Sequence, residues 1–211
     1  MRPRVGVLAL QGGVEEHLAS LRKVGADAVK VRRQSELEGL DAVIIPGGES
    51  TTMSKLLVAT EMYGPLRDLI RSGCPVWGTC AGMILLAKTV VDGLPDQVSF
   101  DAIDAVVRRN AFGSQIQSHE EKLVVEGVDE PVHAVFIRAP IVESVGPDVR
   151  VLARSQRHGG SQDAESQETL GPIVAISEGP VLATSFHPEL SDDVEMHRYF
   201  LERFVVDAEG H

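Results

Sequence analysis

Cysteines and aromatic residues are scarce in this sequence, and long apolar runs are missing. Of its 211 residues, 2 are cysteines and 4% are aromatic. Two cysteines cannot form a disulfide framework, and neither lies in the spacing of a zinc-binding motif. No apolar run approaches the roughly 20 residues that span a bilayer, and Met1 to Arg4 lead straight into a strand-like segment without a cleavable leader. We therefore expect a cytoplasmic protein in a reducing compartment, with no membrane partner.

An excess of positive charge is missing as well. The formal net charge is -11 at pH 7. Proteins that bind nucleic acid neutralise phosphates with clustered Lys and Arg, and the basic segments here are short, as at residues 30–33 and 108–109. We therefore expect no nucleic-acid partner.

The first half of the chain alternates short apolar segments with helical patterns. Segments 5–10, 28–31 and 41–45, and another that begins at Val76, are typical of buried strands. Helical spacing of apolar residues separates them, and Ser50 or Thr51 is placed to cap one of these helices. This alternation predicts an α/β fold with a mostly parallel central sheet and helices on both faces.

The second half contains more strand-like segments and one polar stretch. The strand-like segments are residues 102–107, 122–125, 133–137, 149–153, 173–177 and 181–185. A last helix is predicted from about Asp193, and the polar residues 155–171 are predicted to form a flexible loop. We expect additional antiparallel strands here and a single domain over residues 1–211.

Cys80 lies where a predicted strand meets a predicted helix, with Gly78 and Gly82 on either side. A tight turn of this kind exposes its central side chain, and the crowded backbone favours glycine nearby. The N-terminus of the following helix favours a thiolate and can stabilise an oxyanion. The pattern indicates a catalytic nucleophile, with a buried structural cysteine as the alternative. Cys74 lacks this setting, and we expect it to be structural.

A base for this cysteine is suggested by His187 and Glu189. A strand-like segment leads into His187-Pro188-Glu189. Side chains two apart on an extended chain point the same way, so Glu189 can bind one imidazole nitrogen while the other faces the thiol. The alternative is a loop histidine beside a surface glutamate. No similar pairing is expected for the remaining histidines, which are His17, His119, His133, His158, His197 and His211.

Two adjacent glycines, Gly47 and Gly48, follow the third predicted strand. Ligands of open α/β sheets bind at such carboxyl ends of strands. A phosphate loop is not supported, because no Gly-Lys-Ser/Thr follows these glycines. Backbone donors for an oxyanion suit the segment better, and a plain loop before a capped helix is the alternative.

Together these segments resemble the class I (triad) glutamine amidotransferases. Within that superfamily the sequence is similar to the glutaminase subunits of pyridoxal 5'-phosphate synthase, the PdxT family. The matching segments follow the order of the family and are LALQGGVEEH at 8–17, PGGESTTM at 46–53, GTCAGMILLAK at 78–88, RNAFGSQ at 109–115, VFIRAP at 135–140 and SFHPEL at 185–190. The stretch at 155–171 is longer than is usual in that family and touches none of these segments.

The resemblance implies a flavodoxin-like three-layer fold and the hydrolysis of L-glutamine through a γ-glutamyl thioester, without a cofactor or metal. It implies Cys80 as nucleophile, His187 as general base and acid, and Glu189 as the residue that orients His187. The implied glutamine-binding residues are Gly48, Glu49, Ser50, Arg109, Ile137 and Arg138. The implied oxyanion hole consists of backbone N–H groups of Gly48 and Ala81. Residues implied to couple the site to a partner are Gln11 and Gly12.

An ammonia-accepting partner also follows from the resemblance. Free ammonia is mostly protonated at neutral pH, so direct delivery to a second subunit makes chemical sense. The implied partner is the synthase subunit PdxS, a (β/α)8 barrel that makes vitamin B6 from ribose 5-phosphate, glyceraldehyde 3-phosphate and ammonia in a large hetero-oligomer. The alternatives are a glutaminase subunit of another complex, such as imidazole glycerol phosphate synthase, or a non-catalytic binding module. A metal site on the same side chains is disfavoured, because the metal would occupy the nucleophile.

Overall fold

The computed structural model describes residues 2–109, 118–156 and 170–207. The predicted loop at 155–171 therefore lies mostly outside the described residues. The same holds for His158, His211 and the part of the 109–115 segment that follows Arg109.

Strands and helices alternate in the first half as predicted, and strands dominate the second. The strands are β1 (Arg4–Leu8), β2 (Asp27–Val31), β3 (Ala42–Ile45), β4 (Val76–Thr79), β5 (Ala87–Val91), β6 (Ile103–Arg108), β7 (Ser118–Leu123), β8 (Val132–Ile137), β9 (Ile141–Val145), β10 (Arg150–Arg154), β11 (Ile173–Glu178) and β12 (Val181–Thr184). The helices are α1 (Val14–Lys23), α2 (Ser50–Ala59), α3 (Tyr63–Arg71), α4 (Ala81–Leu86) and α5 (Glu195–Phe200). A π-helical segment, Leu201–Val206, continues α5, and short 3-10 helices lie at Gln34–Glu36 and Pro188–Leu190.

One large sheet runs through the described part of the chain in the order β2-β1-β3-β4-β12-β11-β9-β6-β5, with β10 paired to β11. The first five strands in this order are β2, β1, β3, β4 and β12, and each runs parallel to its neighbours among them. Antiparallel pairing begins at β11, which pairs with β12, β9 and β10. The strands β7 and β8 form a separate antiparallel pair. The predicted α/β fold with added antiparallel strands in the second half is confirmed.

The sheet is covered on both faces because its buried strands carry apolar side chains in both directions. Val5 and Val7 of β1 pack in a cluster with residues of α1 and α5, such as Leu18 and Phe200. On the other face, alternate residues of β3 pack with apolar residues of α2, α3 and α4. None of the helices in the described ranges is long and apolar enough to cross a membrane.

Three local predictions are wrong. Strands β5 and β9 were not predicted, because each forms through pairing with β6 in the sheet rather than through a clear pattern of its own. The cap of α2 is Glu49, whose side chain accepts hydrogen bonds from the backbone N–H groups of Thr51 and Thr52. Ser50 and Thr51 were expected in that role, but both lie inside the helix.

Candidate active site

Cys80 occupies a sharp turn between β4 and α4. Its backbone has φ 50° and ψ -105°, a strained conformation for a residue with a side chain. A Cβ on Gly78 would lie 2.5 Å from the backbone carbon of Gly82, and a Cβ on Gly82 would lie 2.0 Å from the carbonyl oxygen of Ile45. Only glycine fits at either position, so the predicted strand-to-helix corner has the crowded geometry that its sequence indicated.

The sheet brings His187 to this corner. Strands β4 and β12 are parallel neighbours with Thr79 opposite Thr184, so their carboxyl ends lie side by side. His187 follows β12 and lines the same cavity as Cys80, and its Nδ1 lies 2.9 Å from Glu189 Oε1. The predicted pairing is therefore present, but the backbone is not extended. The 3-10 helix Pro188–Leu190 turns the chain and brings the two side chains together.

Opposing effects set the protonation of His187. Burial by itself lowers the pKa of this imidazole, but the hydrogen bonds and charges of Cys80 and Glu189 outweigh it and raise the pKa to about 10. His187 therefore carries a proton at neutral pH. An imidazolium next to the cysteine can donate a proton during the reaction.

The two glycines after β3 allow the loop to approach the imidazole closely. A Cβ on Gly47 would lie 2.3 Å from His187 Cε1, so a side chain at this position would displace the ring. Gly48 has φ +146°, a conformation that residues with a side chain rarely adopt. The loop between β3 and α2 is thus shaped by its glycines to pass directly over His187.

Gln11 and Gly12 pack against that loop from the end of β1. Gln11 Oε1 accepts a hydrogen bond of 2.6 Å from the backbone N–H of Glu49. Gly12 has φ +89°, and a Cβ there would lie 2.1 Å from the carbonyl oxygen of Gly47. A movement of residues 11–12 would therefore be transmitted to the Gly47–Gly48 backbone.

Glu49 and Arg109 form a fixed ion pair at the mouth of the site. Arg109 Nη2 donates to Glu49 Oε1 at 3.0 Å, while Nη1 donates to Thr51 Oγ1 at 3.1 Å and to Gln97 Oε1 at 3.2 Å. Partial burial raises the pKa of Glu49, but hydrogen bonds from Thr52 and Thr51 outweigh it and lower the pKa to about 2. Glu49 is therefore ionised, and the Arg109 guanidinium is held in one orientation.

A cavity of about 400 Å³ opens beside Cys80 and His187. It is lined by every residue for which glutamine binding or an oxyanion hole was predicted, namely Gly48, Glu49, Ser50, Ala81, Arg109, Ile137 and Arg138. Ser50 Oγ is buried and has no hydrogen-bond partner among the described residues. A hydroxyl without a partner at the wall of a cavity is available to a ligand.

Other parts of the described chain lack a comparable arrangement. A larger cavity, of about 600 Å³, is lined by Arg150, Tyr199 and Arg203 among others, and neither a cysteine nor a histidine is among its lining residues. Within the described ranges, no three His, Cys, Asp or Glu side chains are grouped so that they could hold a metal ion. The chemistry is therefore concentrated at Cys80.

Three of the other histidines also lie near a carboxylate. His17 Nε2 lies 3.4 Å from Glu189 Oε2, His133 Nε2 lies 2.8 Å from Glu120 Oε2, and His119 Nε2 lies 3.7 Å from Glu121 Oε1. Of these pairs, only the one formed by His17 reaches the residues around Cys80. Sequence reasoning also missed Gln97, the neighbour of Arg109. Of these contacts, only the pair of His119 with Glu121 could have been suggested by the sequence, because the two residues have the same His-x-Glu spacing as His187 and Glu189.

Known proteins with the same sequence pattern are glutamine amidotransferases. The family model described as the SNO glutamine amidotransferase family matches residues 7–206. The pyridoxal 5'-phosphate synthase subunit PdxT of Rhodococcus jostii is 55% identical over 202 residues, which cover 95% of this chain and 96% of that protein. PdxT of Rhodococcus opacus is 54% identical, with the same coverage. A crystal structure of a glutamine amidotransferase has a TM-score of 0.82 and 46% identity, and the match covers 94% of this chain and 97% of the other. The chain belongs to the SNO glutamine amidotransferase family.

Proposed function

We propose that this protein hydrolyses L-glutamine to L-glutamate and ammonia as the glutaminase subunit of a pyridoxal 5'-phosphate synthase in the cytoplasm. The observation that carries the proposal is the position of His187, which lines the same cavity as Cys80 and whose Nδ1 lies 2.9 Å from the buried Glu189 carboxylate. Membership of a glutamine amidotransferase family supports it, as does the similarity to subunits named PdxT.

The reaction begins with attack by the Cys80 thiolate on the side-chain amide carbon of glutamine. A C–S bond forms, and the carbonyl electrons move to oxygen. Backbone N–H groups of Gly48 and Ala81 would stabilise this oxyanion; Ala81 is the first residue of α4, where N–H groups have no partner within the helix. Both residues line the cavity beside Cys80.

His187 then moves the protons. Its imidazolium donates a proton to the departing nitrogen, ammonia leaves, and a γ-glutamyl thioester remains on Cys80. The neutral imidazole next removes a proton from water, which attacks the thioester. Glutamate leaves as the thiolate is restored, and His187 is protonated again. Glu189 accepts the hydrogen bond from Nδ1 of His187 and so holds the ring in one orientation throughout.

The charges at the cavity fit free glutamine. Arg109 and Arg138 are the arginines that line it and would bind the α-carboxylate, while Glu49 is ionised and would face the α-ammonium group. Ser50 supplies a hydroxyl without a partner among the described residues, and Ile137 and Arg138 also line the cavity. This set distinguishes free glutamine from a glutamine side chain within a peptide, which carries neither terminal charge.

We propose PdxS, a (β/α)8-barrel synthase subunit, as the partner that receives the ammonia in a large hetero-oligomer. Gln11 and Gly12 would couple the two subunits, because they contact the loop that carries the Gly48 donor. The names of the relatives, which are subunits of pyridoxal 5'-phosphate synthase, support the choice of partner.

The test is to measure ammonia and glutamate released from L-glutamine with and without purified PdxS from the same organism. We expect turnover that rises when PdxS binds, and no turnover with Cys80→Ala although that variant still folds and binds PdxS. Hydrolysis retained by Cys80→Ala would refute the nucleophile, and equal rates with and without PdxS would refute the coupling. Ammonia transfer to imidazole glycerol phosphate synthase instead of PdxS would refute PdxS as the partner.

A further inference from the structure

The second carboxylate oxygen of Glu189 faces a buried histidine that the proposed reaction does not use. While Oε1 binds His187, Oε2 lies 3.4 Å from Nε2 of His17 on α1, and both side chains are almost fully excluded from solvent. Glu189 Oε2 has no hydrogen-bond partner among the described residues, and its contact with His17 is an ion-pair contact. A buried carboxylate oxygen needs a donor, and His17 is placed to be that donor.

His17 is held in turn by His197 of α5. The distance from His17 Nδ1 to His197 Nε2 is 2.9 Å, and both rings are fully buried. Trp77 packs edge-on against both rings, with centroids 5.9 and 5.0 Å away. These contacts leave little room for His17 to turn away from Glu189.

Hydrogen-bond requirements decide the tautomers of the two rings. Burial lowers the pKa of both histidines, so each ring is neutral and carries one N–H. If His17 carries its proton on Nε2, it donates to Glu189, and its bare Nδ1 accepts from His197 Nε2–H. His197 Nδ1, which has no partner among the described residues, is then an empty acceptor, which costs less than a buried N–H without a partner. The opposite assignment would point a lone pair at a carboxylate.

Thr79 is the other neighbour of His17 Nε2. Its Oγ1 lies 3.4 Å from that nitrogen, the same distance as Glu189 Oε2. Nε2 is hydrogen-bonded to Thr79, whereas its equally long contact with Glu189 is not aligned as a hydrogen bond. The Thr79 hydroxyl can rotate to donate or accept, whereas a carboxylate oxygen can only accept, so Glu189 is the neighbour that needs the proton of Nε2.

We propose that His17 is a positioning residue, whose Nε2–H holds the Glu189 carboxylate against His187, and that His197 fixes the tautomer of His17. This inference rests on the proposed function, since it assigns Glu189 a partner in the same reaction. The chain of contacts runs from Cys80 through His187, Glu189 and His17 to His197, and so connects the nucleophile to the C-terminal helix α5.

Two substitutions of His17 distinguish a role in positioning Glu189 from a role in packing the core. In His17→Gln the amide nitrogen can occupy the place of Nε2 and donate to Glu189, whereas in His17→Asn the shorter amide reaches only the place of Nδ1. Both variants bury an amide of similar polarity in the same core. We expect His17→Asn to lower kcat about 10- to 100-fold with KM changed less than about twofold, and His17→Gln to retain most of kcat. Leu21→Ala, which removes core volume from the same helix, should leave kcat unchanged.

Alkylation of Cys80 by iodoacetamide gives a readout that needs no substrate. Without its donor, Glu189 supports the His187 imidazolium less well, so the pH of half-maximal alkylation should rise by about one unit in His17→Asn and stay near wild type in His17→Gln. Mass spectrometry of the Cys80 peptide separates its modification from that of Cys74. The titratable groups around His17 are Glu189, His187 and His197, and the charge of Asp193 acts on His197.

Nitrogen NMR of ¹⁵N-histidine-labelled wild-type protein tests the inference even if neither variant folds. We expect neutral rings between pH 6 and 8 with the proton on Nε2 in both His17 and His197. A proton on Nδ1 of His17 would overturn the proposal, as would equal losses of kcat in the Asn and Gln variants or an unchanged kcat and alkylation profile in His17→Asn. If wild-type protein hydrolyses no glutamine, the proposed function fails, while the tautomers and the alkylation profile still decide the role of His17.

Discussion

Glu189 Oε1 lies 2.9 Å from His187 Nδ1, across a short 3-10 turn that contains only Pro188 between the two residues. The carboxylate is buried, and its Cγ is so close to Gly13 that a Cβ on that glycine would lie 2.9 Å away. The imidazole is therefore held at Nδ1 by a carboxylate whose side chain has little room to change its rotamer.

The Glu189→Gln variant should lose turnover. An amide that offers N–H to His187 Nδ1 stabilises the wrong tautomer, and a neutral side chain no longer supports the imidazolium. We expect kcat to fall by about 10²- to 10⁴-fold with little change in KM. The matched control is Glu120→Gln, which removes a carboxylate 2.8 Å from the half-exposed His133 and should leave steady-state kinetics unchanged. A kcat near wild type in Glu189→Gln would contradict the assignment.

Removing the guanidinium of Arg109 should weaken substrate binding more than catalysis. A charge-assisted hydrogen bond contributes about 1.5 to 3 kcal/mol, so Arg109→Gln should raise KM for glutamine by about 10- to 100-fold while kcat changes a few-fold. The control is Arg108→Gln, because Arg108 forms ion pairs with Asp92 and Glu143 and does not line the cavity. Equal effects of the two substitutions on KM would mean that Arg109 does not bind glutamine.

Local rules predicted the corner at Cys80 and the fold class but not every contact. The glycines around Cys80 and the strand–helix alternation act over a few residues, and those features were predicted correctly. The contacts of His17 with Glu189 and of Arg109 with Gln97 depend on how separate segments of the chain pack together. A local sequence pattern does not predict such packing. The cap of α2 departs from the usual preference for residues such as Ser and Thr: Glu49 caps the helix, and Ser50 instead lines the cavity.

Crowding around Cys80 predicts the effect of Gly82→Ala on stability. A Cβ at position 82 would lie 2.0 Å from a backbone oxygen of β3, which cannot move without disturbing the sheet. We expect the free energy of unfolding, measured by urea denaturation, to fall by about 1 to 3 kcal/mol or more. A Cβ on Gly64 in α3 would instead meet open space, with no neighbouring side chain within 4 Å, so Gly64→Ala should be neutral or stabilise by up to about 1 kcal/mol. A stable Gly82→Ala variant would mean that the turn can relax.

The histidines around Glu189 predict opposite pH dependences of stability on the two sides of about pH 6.5. His187 has its pKa raised to about 10 in the folded protein, against about 6.5 when unfolded. The stability that its raised pKa provides is fully present below about pH 6.5 and is lost as the pH rises through about 10. Replacement of His187 by Gln should flatten this alkaline loss in urea denaturation series, and an unchanged slope would contradict the raised pKa.

On the acid side the sign reverses, because His17 and His197 are buried as neutral rings. Burial lowers the pKa of His197 to about 3 and that of His17 well below its ordinary value. The unfolded chain binds protons at these residues below about pH 6.5 and the folded protein does not, so each can remove up to about 1.4 kcal/mol of stability per pH unit as the pH falls. Between pH 6.5 and 5, where most exposed carboxylates are still ionised, His197→Leu should show a shallower loss than wild type. Equal slopes in that interval would mean that His197 is protonated in the folded protein and is not buried as a neutral ring.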